Sequence, residues 1–271
     1  MSKFWVGTAL FAAVLGLLAP AHGADFEIGP AGGGSSPAAT SPAVPGSGTG
    51  SSEVPGLPAA DVPAWIDAGD VPTAYTLQRY EVRTDFRLYE GGGILGKAYL
   101  GLFPRFFIGG AADARDFVGS GPVQMNRDDA EVLARFELLK EDEDLPAVSI
   151  GWDGPSYDSV AERGLYLSAS KEIPTAVGFV QFHGGVNSAQ VGSFVASRDL
   201  RASAAVTTAI YNYGIFTNLD DALDPLGARW NAGLEGHFAP ITLGLEFRDL
   251  ASARADTPVS RLLRVTWIGR F

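Results

Sequence analysis

The sequence predicts an all-β protein: an antiparallel up-and-down transmembrane β-barrel of about twelve strands, preceded by a disordered N-terminal linker. Three observations carry that expectation. From about residue 73 to the end, apolar and polar side chains alternate with period two, the pattern of strands with one wet and one apolar face. The turns between those strands alternate between tight and long polar ones, as in bacterial outer-membrane barrels. Finally, the chain ends in SRLLRVTWIGRF, where Leu263, Val265, Trp267, Gly269 and Phe271 share one face. Arg264, Thr266 and Arg270 take the other, with Ile268 between them.

Taken in chain order, the first element is a leader. Lys3 precedes the apolar run at 4–19, followed by Pro20 and the small residues AHGA, the order of a secretory signal peptide. The run is too short for a membrane-spanning helix, which needs about 20 apolar residues. Cleavage is expected after Gly23, giving a signal peptide at 1–23. Residues 24–72 are expected to form a low-complexity periplasmic linker. Its stretch 29–60 is almost entirely Gly, Pro, Ser, Ala and Thr with Glu53 as the single charge. Such a composition buries too little apolar area to offset the entropy of ordering it.

The barrel is expected over 73–271. YEVRTDFRLY (80–89), RWNAGLEGHF (229–238) and ITLGLEFR (241–248) all alternate. Division at turn signals places strands near 79–90, 94–104, 106–117, 130–141, 146–154 and 163–172. Six more follow near 176–187, 190–198, 201–213, 228–239, 241–250 and 260–271. Tight turns are expected at Pro104-Arg105, Glu172-Ile173-Pro174 and Ala239-Pro240, and long loops at SGPVQMNRDDA, DGPSYDSVAER and TNLDDALDPLGA. An even strand number puts both barrel termini at the short-turn, periplasmic end.

Alternation alone fits either a soluble sandwich, with charges outward, or a membrane barrel, with charges inward. Strands of roughly ten residues favour the barrel. So do the aromatics near strand ends (Tyr80, Tyr89, Trp152, Tyr166, Trp230, Trp267) and the terminal Phe271. Val265, Trp267, Gly269 and Phe271 resemble the C-terminal signal read by the outer-membrane assembly machinery. The expected location is therefore the bacterial outer membrane, with its lipid, lipopolysaccharide and assembly machinery as partners.

Three stretches resemble the YjbH family of envelope β proteins: DLPAVSIGWDG (144–154), RGLYLSASKEI (163–173) and FHGGVN (182–187). VPTAYTL (71–77) and GGILGKAYLGLFPRFFIGG (92–110) resemble it less specifically. The family is associated with exopolysaccharide production. The resemblance therefore implies a role in exopolysaccharide secretion or envelope assembly, with polysaccharide export components as partners. The chain is shorter than typical members, and the family supplies no catalytic residues to carry over. A passive structural barrel or a small-solute pore is the alternative, and a lipid- or glycan-modifying enzyme a third.

Composition narrows the chemistry. The chain has no cysteine, which removes disulfides, thiolate nucleophiles and Cys-type metal sites. A net charge of −11 with scattered basic residues disfavours nucleic acid. His183, His237, Ser168 and Ser170 are expected to point inward, but no nucleophile motif accompanies them. No catalytic or cofactor-binding residue is assigned, and no enzyme activity is expected. Asn218, Asp220, Asp221 and Asp224 cluster in an expected external loop. They offer hard oxygen ligands of the kind calcium takes, at a spacing that matches no defined calcium loop.

The lumen is the candidate functional surface. Seven acidic residues (Glu81, Asp85, Asp113, Glu137, Asp153, Glu235, Glu246) and seven basic ones (Arg83, Arg87, Lys97, Arg115, Arg135, Arg248, Arg264) are expected to face it. A selective pore biases its wall to one sign, so this balance points to internal ion pairs and low conductance.

Overall fold

A computed structural model describes residues 62–125, 131–154, 163–189, 200–223, 228–251 and 259–271. The expected signal peptide, and the expected linker as far as residue 61, lie outside them. Twelve long strands form the wall: β3 (Glu81–Tyr89), β4 (Gly93–Phe103), β5 (Phe106–Arg115), β7 (Glu131–Leu139), β8 (Ala147–Asp153) and β9 (Gly164–Thr175). They continue with β10 (Gly178–Ser188), β11 (Arg201–Ile210), β12 (Tyr213–Asp220), β13 (Arg229–Phe238), β14 (Ile241–Arg248) and β15 (Ser260–Arg270). Neighbours in sequence pair antiparallel throughout, and β15 pairs β3 from Arg270↔Glu81 to Leu262↔Tyr89, so the sheet closes on itself. Closure gives each of the twelve long strands a neighbour on both sides, so none of them is an edge strand. The short β6 (Gln124–Met125) extends the ladder beside β5.

The turns sort by end. Residues 104–105, 140–146, 176–177, 211–212 and 239–240 lie at one end, with Tyr80 and Phe271, whose N–H donates to the Tyr80 carbonyl at 3.2 Å. The strand ends Arg115, Glu131, Asp153, Gly164, Ser188, Arg201, Asp220, Arg229, Arg248 and Ser260 lie at the other, with the short turn 90–92.

The two faces of the wall have inverted chemistry. On β13, Trp230, Leu234 and Phe238 are 47%, 54% and 55% exposed, while Asn231, Glu235 and His237 are 3%, 4% and 7%. Val132, Phe136 and Leu138 on β7, and Tyr213, Ile215 and Leu219 on β12, repeat the outward apolar row. A wall so apolar outside and so charged within is stable facing hydrocarbon, the defining arrangement of a transmembrane barrel. On the last strand, Leu263, Val265, Trp267 and Gly269 lie outside, with Arg264 and Thr266 buried within.

Four sequence expectations need correction. The strand expected over 201–213 ends at Ile210, and a turn at Tyr211-Asn212 starts β12, where a loop was expected from residue 217. The strand expected over 190–198 falls outside the described residues. β10 pairs directly with β11, Gly178↔Ile210 through Asn187↔Arg201, so no wall strand stands between them. The turn expected at Glu172-Ile173-Pro174 lies at Ala176-Val177, because a proline near a strand end forfeits only one ladder bond. Most consequential, residues 62–72 do not belong to a periplasmic linker. They enter the barrel, where Trp65, Ile66, Ala68 and Val71 are buried. Unlike the Gly/Pro/Ser stretch before them, these residues carry enough apolar surface to offset their ordering.

Candidate functional site

The segment 63–77 runs into the lumen from the short-turn end, reverses, and returns to start β3. Its tip is a hairpin of β1 (Asp67–Ala68) and β2 (Val71–Pro72), paired Asp67↔Pro72 and Ala68↔Val71. Gly69 makes the reversal possible. It adopts φ +64°, and a Cβ there would lie 2.4 Å from Asn218 Nδ2 and 2.9 Å from Phe216 Cε2. Just inside the short-turn end, Trp65 meets Phe216 edge-on at 5.6 Å between ring centroids, and His237 at 6.2 Å. Ile66 and Leu77 join an inner apolar cluster with Leu95, Tyr99, Phe107 and Leu133 on the β3–β7 side.

The opposite side of the lumen holds the hairpin by hydrogen bonds to its backbone. Asn218 Nδ2 donates to the Ala68 carbonyl at 3.0 Å, and Ser168 Oγ to that of Thr73 at 2.8 Å. Ala74 N–H donates to Ser170 Oγ at 2.8 Å. From β7, Arg135 does most: Nη1 donates to the carbonyls of Ile66 (2.9 Å) and Tyr75 (2.8 Å), Nη2 to Asp67 Oδ1 (3.1 Å), and Nε to Tyr166 Oη (2.6 Å). Buried backbone polar groups that a two-pair ladder does not satisfy are costly unless side chains supply their partners.

The hairpin carboxylates meet arginines deep in the barrel. Asp70 Oδ1 accepts from Arg87 Nη1 at 2.7 Å, and its Oδ2 lies 2.9 Å from Arg248 Nη2. Asp67 lies 3.1 Å from Arg135 and 3.6 Å from Arg87, and accepts from Tyr99 Oη at 3.2 Å. Burial alone would raise the Asp67 pKa, but Lys97, Arg135, Arg87 and Arg264 outweigh it and hold the carboxyl below its ordinary value. Two small gaps beside the segment, one lined by Trp65, Arg83 and His237 and one by Asp67, Arg135 and Tyr166, offer about 10 Å³ each, roughly one water apiece.

The residues expected to line the lumen are all buried except two. Arg83, Asp85, Arg87, Lys97, Asp113, Arg135, Glu137, Asp153, Glu235, Glu246, Arg248 and Arg264 face the interior. Glu81 is half-buried at the short-turn mouth, and the Arg115 side chain is 57% exposed, 3.7 Å from Asp113. Within the wall, Asp85 bridges Arg87 (3.0 Å) and Arg264 (2.9 Å), Arg264 also reaches Glu235 (3.4 Å), and Lys97 reaches Asp153 (3.5 Å).

Other expected groupings dissolve. Tyr89 and Tyr166, read as interfacial aromatics, lie on the charged parity and point inward, where Tyr89 Oη donates to Asp113 at 2.7 Å. Of the expected oxygen cluster, Asn218 is a wall residue bonded to Ala68 and Asn231. Asp220 accepts both Nη groups of Arg163, at 3.1 and 3.0 Å, and Asp224 lies outside the described residues. Burial would lower the Arg163 pKa, but Asp220, Asp70 and Asp153 raise it instead. His183 and Ser170 do meet, Nδ1 to Oγ at 2.8 Å, but His183 Nε2 is 3.1 Å from Thr207 and the Ser170 oxygen accepts from Ala74. The pair lies under the returning segment, with the Tyr75 ring edge-on to the imidazole at 6.0 Å.

Sequence reasoning missed the hairpin, although a signal was present. The composition changes at AWIDAGDVPTAYTL, where bulky apolar residues flank the turn Asp-Ala-Gly-Asp.

No family model matches the chain, and neither does any curated protein. Among solved structures, a triple mutant of the Rh. blastica porin aligns at 9% identity over 70% of this chain and 98% of that one, with a TM-score of 0.29. The N-terminal β-barrel domain of Pseudomonas aeruginosa OprF aligns at 9% identity over 70% and 96%, with a TM-score of 0.21.

Proposed function

We propose that this protein is an outer-membrane barrel closed by its own N-terminal segment, supporting exopolysaccharide secretion or envelope assembly without enzymatic chemistry. The observation that supports closure is Arg135, which gives three of its four hydrogen bonds to residues 66, 67 and 75 across the lumen. An inward arginine of a water-filled pore would keep its hydration, whereas this one is spent on fixing an internal strap. The exopolysaccharide role rests on the resemblance of 144–154, 163–173 and 182–187 to the YjbH family. Lipid, lipopolysaccharide and the assembly machinery are its partners in this reading, with polysaccharide export components beside them.

Closure is tested in a planar bilayer. The unmodified protein conducts little or nothing, and a large, steady conductance overturns the reading in favour of a small-solute pore. The role is tested in the native cell. Removing the gene lowers secreted polysaccharide while the other envelope components persist, and an unchanged yield leaves a passive structural barrel.

A further inference from the structure

The seven-to-seven balance of expected lumen charges conceals a local imbalance that the hairpin corrects. Three buried arginines depend on it. Among the described residues, Arg135 has Asp67 as its one carboxylate, and its other bonds go to Tyr166 and to carbonyls of the inner segment. Arg87 draws on Asp67 and Asp70 as well as Asp85, and Arg248 on Asp70 as well as Glu246. Arg83, a fourth buried cation, bonds to the Ala64 carbonyl of the same segment at 3.1 Å. Guanidiniums grip carboxylates in a fixed fork, so these side chains form a site shaped for that group.

We propose that Arg87, Arg135 and Arg248 form an anion-binding site in the lumen for carboxylate-bearing solutes, and that Asp67 and Asp70 occupy it in cis. In this view the hairpin is an intramolecular stand-in for ligand. Its withdrawal uncovers an arginine cluster in the lumen that biases the path toward anions. The inference rests on the closed-barrel reading but goes further, because closure by itself specifies no sign of charge for the open path.

The test uses two forms of the full-length protein and one shortened form, all reconstituted in planar bilayers under a potassium chloride gradient. The first carries Asp67→Asn and Asp70→Asn, which keep shape and remove charge. The third lacks residues 62–77. The second is the unaltered parent. Each full-length form is also made with Ala68→Cys, a unique thiol in a chain without cysteine, so that a membrane-impermeant thiol reagent reports whether the hairpin has left the lumen. The Asn form is expected to label faster than its parent and to conduct, and both altered forms to give a reversal potential on the chloride side of zero. Millimolar citrate is expected to block that current, and an added Arg135→Gln to weaken both block and preference. A cation-preferring or unselective current overturns the proposal, as does an Asn form that neither labels nor conducts more than its parent. If the shortened form does not assemble, the Asn form decides alone. Conductance of the parent bears on the closed-barrel reading instead, so the two failures are distinguishable.

Discussion

Strand β13 and the segment 63–77 both carry polar groups into the centre of the molecule, but they are held there by different means. Each residue of β13 from Ala232 to Gly236 is in register with a partner on β12 and another on β14, as Leu234 is with Ile215 and Leu245. The segment has a ladder of two pairs and otherwise depends on side chains: Arg135, Arg87, Arg248, Asn218, Ser168 and Ser170. Backbone pairing is generic and any alternating strand supplies it, whereas the strap needs particular residues at particular heights. Assembly of the wall and occupation of its lumen are therefore separable by mutation.

The largest effect that would break this comparison is loss of β15. Deleting 260–271 removes the partner of both β3 and β14, and no folded, heat-modifiable form is expected in the outer membrane while export continues. Recovery of the folded form would mean that closure is dispensable. Next is Leu234→Arg, an outward charge that costs about 2–4 kcal/mol near the bilayer midplane. It should block assembly, whereas Glu246→Gln, one strand away on the inner face, should not, and equal tolerance at the two sites would refute the inverted faces. Gly69→Val sharpens the separation. Positive φ strains a β-branched residue by about 1–3 kcal/mol, and its Cβ meets Asn218 and Phe216. The barrel should still migrate as folded on a gel, with amide exchange across 62–77 greatly accelerated.

A smaller effect is that of acid. The Asp67 carboxyl is held below its ordinary value, so its contribution is complete above that value and is lost as pH falls through the lowered one. Amide exchange of the hairpin, corrected for its intrinsic pH dependence, should stay flat from neutrality to about pH 4 and rise only below. Loosening that begins near pH 6 would point to another group. The smallest effect is expected from Arg115→Ala. That side chain is mostly in solvent, and exposed pairs contribute about 0–1 kcal/mol. Thermal unfolding should hardly move, and a large drop would show that the long-loop end is more tightly knit than its exposure implies.

Much of the wall was legible, because alternation reports parity directly. Arg83, Asp85 and Arg87, or Glu235 and His237, fall on the inner face by counting alone. The turn at Tyr211-Asn212 was not legible. Its positive φ falls on a tyrosine, which carries no turn signal, and Ala204 to Leu219 reads as mixed small and apolar residues on both sides of it. The expected strand count still came to twelve, because the strand read over 190–198 stood in for the unread β12. What counting could not supply was partners. Parity places Arg135 and Asp85 in one lumen, but only three-dimensional register gives Asp85 to Arg264 and leaves Arg135 to the hairpin. The charge balance counted wall residues alone, so it left out Asp67 and Asp70 of the hairpin and was silent about distribution.

The position of the hairpin in the chain sets an order of events. It precedes every wall strand, so it emerges from the ribosome before anything that will bind it. Its bonds span long stretches of sequence: Asn218 lies 150 residues beyond Ala68, and Arg264 lies 197 beyond Asp67. Contacts that distant form late, because long loops must close before they are rewarded. The earliest described segment is therefore among the last to complete its set of partners, although Arg87 lies only 17 residues beyond Asp70. The cylinder has no seam once β15 has zipped onto β3, so the moment of zipping is when the hairpin is either enclosed or left to thread in through the short-turn mouth.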